Sequence, residues 1–220
     1  MRRSLRTAAL TGMLAALAMC HGSCMLFAWM AAQFAPPKKV AAQFEPPKGK
    51  ALLVFVDDIL NPVSYEPVKI ELTRRLNENL VAHDVAGKTI SYDRLADLVA
   101  STPDFNLLAV SEVGQKLGAD LVLYVRIDSF GLKDKAADQL WRGDLSVTVR
   151  LVDVTQGRLW PKNRPAGYSM PAVETPTAVQ SSETQEQEIT DALAAQMADQ
   201  VAKLFYKHET PHEGGWREPK

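Results

Sequence analysis

Unbroken apolar runs mark two segments in the middle of the chain as strands. Ala51–Val56 is apolar throughout and ends in Asp57-Asp58, and Leu121–Ile127 is apolar until Arg126. A run of this length without alternation is typical of a strand that is buried on both faces. We therefore expect both segments to lie in the interior of a sheet.

Strict alternation predicts a hairpin further along the chain. Leu145, Val147, Val149 and Leu151 alternate with polar residues, Gln156-Gly157 is a turn signal, and Arg158-Leu159-Trp160 follows. This spacing predicts two antiparallel strands with one apolar face.

Apolar residues at helical spacing predict helices that flank these strands. One helix begins at Pro67, a second precedes the break at Ser101-Thr102-Pro103, a third spans Ser111–Leu117 and ends at Gly118, and the last one precedes the C-terminal tail. The predicted inward residues are Val68, Leu72, Leu76 and Leu80; Leu95, Leu98 and Val99; and Ile189, Leu193, Met197, Val201 and Leu204/Phe205. The predicted fold class is α/β of the α+β kind, with helices packed on a mixed, mostly antiparallel sheet.

Composition predicts the limits of this domain. We expect one domain over residues 51–208, with a flexible, proline-containing loop at 161–182 and a disordered tail at 209–220. Residues 31–50 are a tandem repeat of the form Ala-Ala-Gln-Phe-x-Pro-Pro-Lys, which predicts an extended spacer, or else a docking peptide for a partner.

The first thirty residues predict export. Arg2, Arg3 and Arg6 precede an apolar run from Ala8 to Ala35, as in a targeting helix whose positive end stays in the cytoplasm. Three fates stay open: lipid attachment after cleavage, an uncleaved membrane anchor, and cleavage near Ala31 or Ala32 that releases the domain.

Both cysteines of the chain lie in this segment and are the candidate lipid-attachment sites. Cys20 follows Leu17-Ala18-Met19, where Met19 is bulky for the position before the cysteine. Cys24 follows His21-Gly22-Ser23, where Ser23 is small enough but His21 is unsuitable. Neither site is a clean match, and the domain itself has no cysteine for a disulfide.

Two patterns of acidic and histidine residues are candidate metal sites. His208-Glu209-Thr210-Pro211-His212 matches the letters of a zinc-peptidase motif, with Glu213 or Glu218 as a third ligand, but Pro211 breaks the helix that the motif requires. Asp57-Asp58 resembles the acidic pair of receiver domains, but the partner residues of such a site are missing. We predict no catalytic residue, no metal and no cofactor, with a metal-dependent hydrolase as the alternative.

Two strings carry a resemblance to known envelope proteins. Val113–Tyr124, in which Leu-Gly-Ala-Asp precedes a strand, and Leu145–Trp160 resemble a group that includes the curli-assembly lipoprotein, the lipoprotein activator of penicillin-binding proteins and the N-terminal domain of the Tol translocation protein. The whole layout is also similar to an uncharacterised lipoprotein family of planctomycete-type bacteria. The resemblance implies a binding or assembly role, and it implies no particular partner.

These observations together predict a non-enzymatic binding or assembly module in the bacterial cell envelope. Its N-terminus would contact the membrane, and its domain would face the periplasm or exterior and bind an envelope protein. The near balance of 25 basic and 26 acidic residues gives no nucleic-acid surface. The edge near Trp160 and the loop at 161–182 are the predicted contact surfaces, and a purely structural envelope role is a further alternative.

Overall fold

The computed structural model describes residues 38–60, 62–63, 65–133, 141–176 and 183–210. The elements in chain order are β1 (Lys38–Val40), β2 (Ala51–Asp57), α1 (Pro67–Ala82), β3 (Lys88–Ile90), α2 (Tyr92–Ser101), α3 (Val110–Leu117), β4 (Leu121–Lys133), β5 (Trp141–Asp153), β6 (Gly157–Trp160), β7 (Tyr168–Ser169), β8 (Val173–Glu174), α4 (Glu183–Ala202) and β9 (His208–Thr210).

One mixed sheet organises the larger of two compact units, residues 41–207. Its strand order is β3-β2-β4-β5-β6, and β7 and β8 also pair with β5. β2 pairs in parallel with β3 and with β4. The strand β5 pairs antiparallel with each of its partners, which are β4, β6, β7 and β8. The predicted fold class, a mostly antiparallel sheet with helices packed on it, is therefore confirmed.

The main core lies between the sheet and the pair of helices α1 and α4. The inward residues predicted for these helices are all buried, and so are Ala194, Ala198 and Ala202, which the prediction did not include. Small residues allow close packing here. A Cβ at Gly143 of β5 would come within 2.5 Å of Ile189 Cγ2 and 2.7 Å of Leu193 Cδ1. Gly143 therefore lets α4 lie directly against the strand.

A second apolar cluster covers the other face of the sheet beneath α2 and α3. It includes Leu53, Phe55, Leu95, Val113, Leu117, Val122 and Tyr124. A Cβ at Gly114 would come within 2.5 Å of Val122 Cγ2, so this glycine sets how closely α3 approaches β4. Gly118 ends α3 with φ +71°, which confirms the predicted glycine stop.

Two sequence predictions about helix packing are wrong. Val99 is exposed and not inward, whereas Leu95 is buried and Leu98 is partly buried against the second cluster. α4 ends at Ala202, so Leu204 and Phe205 enter the core from the segment after the helix.

The expectation of little structure over residues 161–182 is wrong for its middle part. Backbone pairing places Tyr168–Ser169 opposite Thr148–Val149 and Val173–Glu174 opposite Asp144–Leu145. Pairing with a distant strand leaves no local signature in a proline-rich segment, so composition alone suggested a loop. Residues 177–182 lie outside the described residues.

The compact unit begins at Ala41, ten residues before the predicted domain start, so it includes the second copy of the tandem repeat. In the smaller unit, β1 pairs antiparallel with β9, and Glu209 and Thr210 are therefore in a strand where a tail was expected. Residues 1–37, with Cys20 and Cys24, and residues 211–220 lie outside the described residues. The other predicted boundaries stay predictions.

Candidate binding surface

An aromatic groove opens at the end of β2 and beside Tyr124 of β4, on the face of the sheet that carries α2 and α3. Phe55 of β2 makes edge-on contacts with Tyr124 of β4, at 5.5 Å between ring centroids, and with Phe105, at 5.9 Å. The groove is about 180 Å³ in volume, and its lining residues are Phe55, Asp57, Ile59, Phe105, Asn106, Leu108, Val110, Val113 and Tyr124. Small-molecule pockets are usually about 300–1,000 Å³. A groove of this size suits a protruding group better than a whole enclosed ligand.

Large exposed aliphatic side chains are lining residues of this aromatic groove or their direct neighbours in the chain, and we call Ile59, Leu60 and Leu107 its rim. Ile59 and its neighbour Leu60 are 53% and 71% exposed, and Leu107, between the lining residues Asn106 and Leu108, is 82% exposed. Single exposed leucines are ordinary on protein surfaces, but several beside an apolar groove are typical of a contact site. Burial of each against a partner would contribute about 1.5–3 kcal/mol.

Tyr124 joins the floor of the groove to a polar network. Its hydroxyl donates a hydrogen bond to Asp57 Oδ2, and the Arg150 guanidinium lies 4.4 Å from the centre of its ring. Burial and the hydrogen bond to Asp57 raise the pKa of the Tyr124 phenol to about 12, against the opposing effect of Arg150. The phenol is therefore a neutral hydrogen-bond donor that fixes the position of Asp57.

The acidic pair Asp57-Asp58 has all four carboxylate oxygens engaged within the protein. Asp57 Oδ1 accepts from the Ile59 N–H at 3.1 Å, while Asp58 Oδ2 accepts from the Val63 N–H at 2.8 Å. Asp58 Oδ1 lies 3.3 Å from Lys69 Nζ. Burial lowers the pKa of Lys69, but Glu66 and Asp58 outweigh it and the net shift is upward. The two carboxylates therefore shape the turn after β2 and hold Ile59 and Leu60 beside the groove.

Beyond Tyr124, the same face of β4 and β5 is polar. Arg126 pairs with Asp128 at 2.8 Å, and Thr148 Oγ1 donates to Asp128 Oδ2 at 2.6 Å. The hydroxyls of Ser129 and Ser146 lie 2.7 Å apart. The aromatic groove therefore stands between exposed aliphatic loops and a hydrogen-bonded polar strand surface.

The histidine motif does not form the helix that zinc chemistry would need. His208–Thr210 is a strand paired with Lys38–Val40, and extended backbone cannot place two histidines one helical turn apart. His212, Glu213 and Glu218 lie outside the described residues. Within the described ranges, no group of three His, Cys, Asp or Glu side chains could hold a metal ion. In the same ranges, no helix has the length and apolarity for crossing a membrane.

Trp160 lies in β6, at one end of the strand order, so the sheet edge near it stays a predicted contact surface, but the Trp160 side chain itself is not exposed there. Trp160 is buried, with its ring 5.1 Å from Tyr168 and 5.6 Å from Phe205, so it packs inside the fold. Sequence reasoning missed the aromatic groove. Its signal was present, because Ile59-Leu60 and Leu107-Leu108 are aliphatic pairs within turn segments, where polar residues are usual.

Solved structures with partial backbone similarity include bacterial lipoproteins. The PelC dodecamer from Paraburkholderia phytofirmans is 13% identical, with a TM-score of 0.41, and the match covers 78% of this chain and 98% of that one. Lipoprotein GNA1162 from Neisseria meningitidis is 16% identical, with a TM-score of 0.41 and coverage of 70% and 99%. The LpoB C-terminal domain from Salmonella enterica is 15% identical, with a TM-score of 0.36 and coverage of 63% and 89%.

Among curated proteins, no sequence matches this chain. One family model does match, over residues 54–203, and that span includes the last four residues of β2, the strands β3 to β8, all four α-helices and every lining residue of the aromatic groove. The resemblance read from the sequence holds for bacterial envelope lipoproteins in general, but it did not include this family. On this match, the chain belongs to the lipopolysaccharide-assembly family named LptE.

Proposed function

We propose that this chain is a non-enzymatic binding module of the bacterial cell envelope that takes part in lipopolysaccharide assembly. Membership of the family supports the process, because the matched residues 54–203 include most of the sheet and every lining residue of the aromatic groove. The observation that carries a binding role is the groove itself, with Leu60 and Leu107 exposed at its rim. An apolar group of an envelope partner would be buried there.

The engagement of the acidic residues supports a role without catalysis. Each oxygen of Asp57 and Asp58 accepts a hydrogen bond or an ion pair that orders the turn after β2, so the fold itself accounts for both carboxylates. The Tyr124 phenol, with its raised pKa, is a poor base at neutral pH. These groups position the rim of the groove.

The N-terminal segment would tether the domain to a membrane, with lipid on Cys24 or Cys20, or as an uncleaved helix. Intact-mass analysis of the protein from the membrane fraction separates these forms. A diacylglycerol-modified cysteine at a new N-terminus would establish lipid attachment, and an intact Met1 would establish the helix. A soluble, unmodified protein cleaved near Ala31 would contradict tethering.

The groove is tested by Leu60→Asp and Leu107→Asp in the bacterium that encodes the chain. A strain without the gene is complemented with each variant, and lipopolysaccharide at the cell surface is measured. Val81→Asp is the matched control, because Val81 is a similarly exposed aliphatic residue on α1, which packs on the opposite face of the sheet. We expect Val81→Asp to restore surface lipopolysaccharide and the rim variants to restore less.

Contact at the groove is measured separately from cell physiology. A photoreactive p-benzoylphenylalanine at position 107 should form a covalent adduct in living cells, and the same residue at position 81 should not. Equal complementation by all variants, together with no adduct at position 107, would overturn the groove as the binding site. Unchanged surface lipopolysaccharide in the strain without the gene would contradict the proposed role in lipopolysaccharide assembly.

A further inference from the structure

The second copy of the tandem repeat occupies a defined seat on the domain. The N–H groups of Gln43 and Phe44 both donate to the Leu204 carbonyl oxygen, at 2.7 Å and 3.2 Å. The Phe44 ring packs against the main core. Pro46 closes the end of that core beside Leu80 and Phe205. We call this surface, with its contacts to residues 42–48, the repeat seat.

Burial along the seated copy alternates. Ala42, Phe44 and Pro46 are partly buried, whereas Ala41, Gln43, Glu45 and Pro47 are exposed. At the end of the copy, Lys48 forms an ion pair with Asp84 at 2.7 Å. The seat therefore fits an extended peptide with small, aromatic and proline residues at alternate positions, and the exposed ion pair of Lys48 adds little to this fit.

The first copy of the repeat carries every feature that the seat contacts. Ala32, Phe34 and Pro36 are identical to the three partly buried residues of the second copy, and Lys38 corresponds to Lys48. Over these eight positions, residues 31–38 differ from residues 41–48 only at Ala35, where the second copy has the exposed Glu45. The single difference therefore lies at a position that is exposed in the seated copy.

We infer that the repeat seat is a docking site for two alternative segments of the same chain, residues 41–48 and residues 31–38. In the alternative register, Phe34 takes the place of Phe44 and Lys38 takes the place of Lys48. Lys38 then leaves its pairing with β9. Residues 39–50 form a loop that leads to β2. Gly49, with φ +75°, makes the turn into β2 in the present register. The first copy has Lys39 there, so its fit ends at Lys38.

Exchange within one chain is favoured over exchange between chains, because both copies are joined to the same domain by a short linker and have a high effective concentration. Loop closure also depends only weakly on loop length. The exchange would shorten the path from the N-terminal segment to the domain by ten residues, or about 30 Å of extended chain at about 3.1 Å per residue. The repeat would thus set two distances between the domain and the N-terminal segment.

A double-mutant cycle on the full-length protein in detergent tests this inference, with the midpoint of urea unfolding as the readout. We expect Phe34→Ala alone to leave the midpoint unchanged. Phe44→Ala should lower it modestly, because Phe34 replaces the lost ring, and the double variant should lower it by more than the sum. Ala35→Glu in the Phe44→Ala background is the matched control and should change nothing, because the seated copy has Glu45 at that exposed position. If Phe44→Ala fails to fold, Phe44→Leu takes its place.

Photocrosslinking locates the exchanged segment directly. With p-benzoylphenylalanine at position 34, the Phe44→Ala background should give an adduct to the peptide that contains Leu204 and Phe205, within a single chain, at several-fold higher yield than with Phe44 present. Strictly additive midpoints would overturn the proposal. Adducts that join two chains would overturn exchange within one chain.

Discussion

Tyr124 donates its phenolic hydrogen to the carboxylate of Asp57, across the parallel strands β4 and β2 and at the mouth of the aromatic groove. Because burial and this hydrogen bond favour the protonated phenol, the pKa of Tyr124 is about 12, above its ordinary value of 10.0. The protonated phenol contributes fully to the free energy of unfolding below pH 10. This contribution is lost as the pH rises from 10 toward 12, because the phenol of the unfolded chain ionises at a lower pH than that of the folded protein.

We therefore expect the free energy of unfolding to fall more steeply above pH 10 in the wild type than in Tyr124→Phe. Urea unfolding between pH 8 and about pH 11 measures this difference. The comparison isolates Tyr124 from Tyr92 and Tyr206, whose pKa values are also raised by burial. Parallel pH profiles for the two proteins would contradict the prediction.

The hydrogen bonds of Asp153 predict that the free energy of unfolding depends on pH under acidic conditions. Its Oδ1 accepts from the Thr155 hydroxyl at 2.7 Å and from the N–H groups of Thr155 and Gln156 at 2.8 Å and 2.9 Å, at the turn between β5 and β6. These hydrogen bonds hold the pKa of Asp153 below its usual value of 3.8. Their contribution is present above about pH 4 and disappears as the pH falls through the lowered pKa.

Asp153→Asn should cost about 1–2 kcal/mol at pH 7, because bonds to a charged acceptor become bonds to a neutral one. The difference from the wild type should shrink as the pH falls below about 4. Urea unfolding from pH 2.5 to 7 measures it, and a difference that stays constant with pH would show that the charge of Asp153 is unimportant.

Gly114 predicts a steric effect where α3 crosses β4. In Gly114→Ala the new methyl group would lie 2.5 Å from Val122 Cγ2 and 2.8 Å from Val154 Cγ2. Overpacking of this kind costs about 1–3 kcal/mol, and the gain in helix propensity, up to about 1 kcal/mol, offsets only part of it. Gln115→Ala, at an exposed position of the same helix, should stay within about 0.5 kcal/mol of the wild type. Equal effects of the two substitutions in thermal unfolding would refute the close contact.

Metal addition distinguishes the binding module from a metal-dependent hydrolase. Because the described residues contain no group of three His, Cys, Asp or Glu side chains that could hold a metal ion, Mg²⁺ or Zn²⁺ added to chelator-treated protein should not raise its unfolding midpoint. Stoichiometric metal that is lost in Asp57→Asn or Asp58→Asn would instead support the hydrolase.

The sequence predicted those parts of the fold in which each element carries its own pattern. The apolar run at Ala51–Val56, the four-residue steps from Val68 to Leu80 and the alternation from Leu145 to Leu151 each led to the correct element and the correct buried face. In these segments burial follows the period of the local structure, so the pattern is sufficient.

What the sequence did not predict depends on contacts between distant segments. Trp160 was expected at an exposed edge and is covered by Tyr168 and Phe205, which come from two later segments. The aromatic groove exists because β2 and β4 are neighbours, which brings Phe55 beside Tyr124. The residue pattern within either strand does not show that the two strands are neighbours in the sheet. The docking of the second repeat copy likewise depends on Leu204, far along the chain.

The side of β5 away from β4 is shared in turn by β6, β7 and β8, and the longest of these is Gly157–Trp160. A long, open strand edge offers rows of unpaired backbone groups on which another chain can assemble. Short strands in succession give no such continuous template. For a chain held at a membrane, as proposed, neighbouring copies would be confined to a plane and would meet often. The divided edge would then protect the fold from self-association where its local concentration is highest.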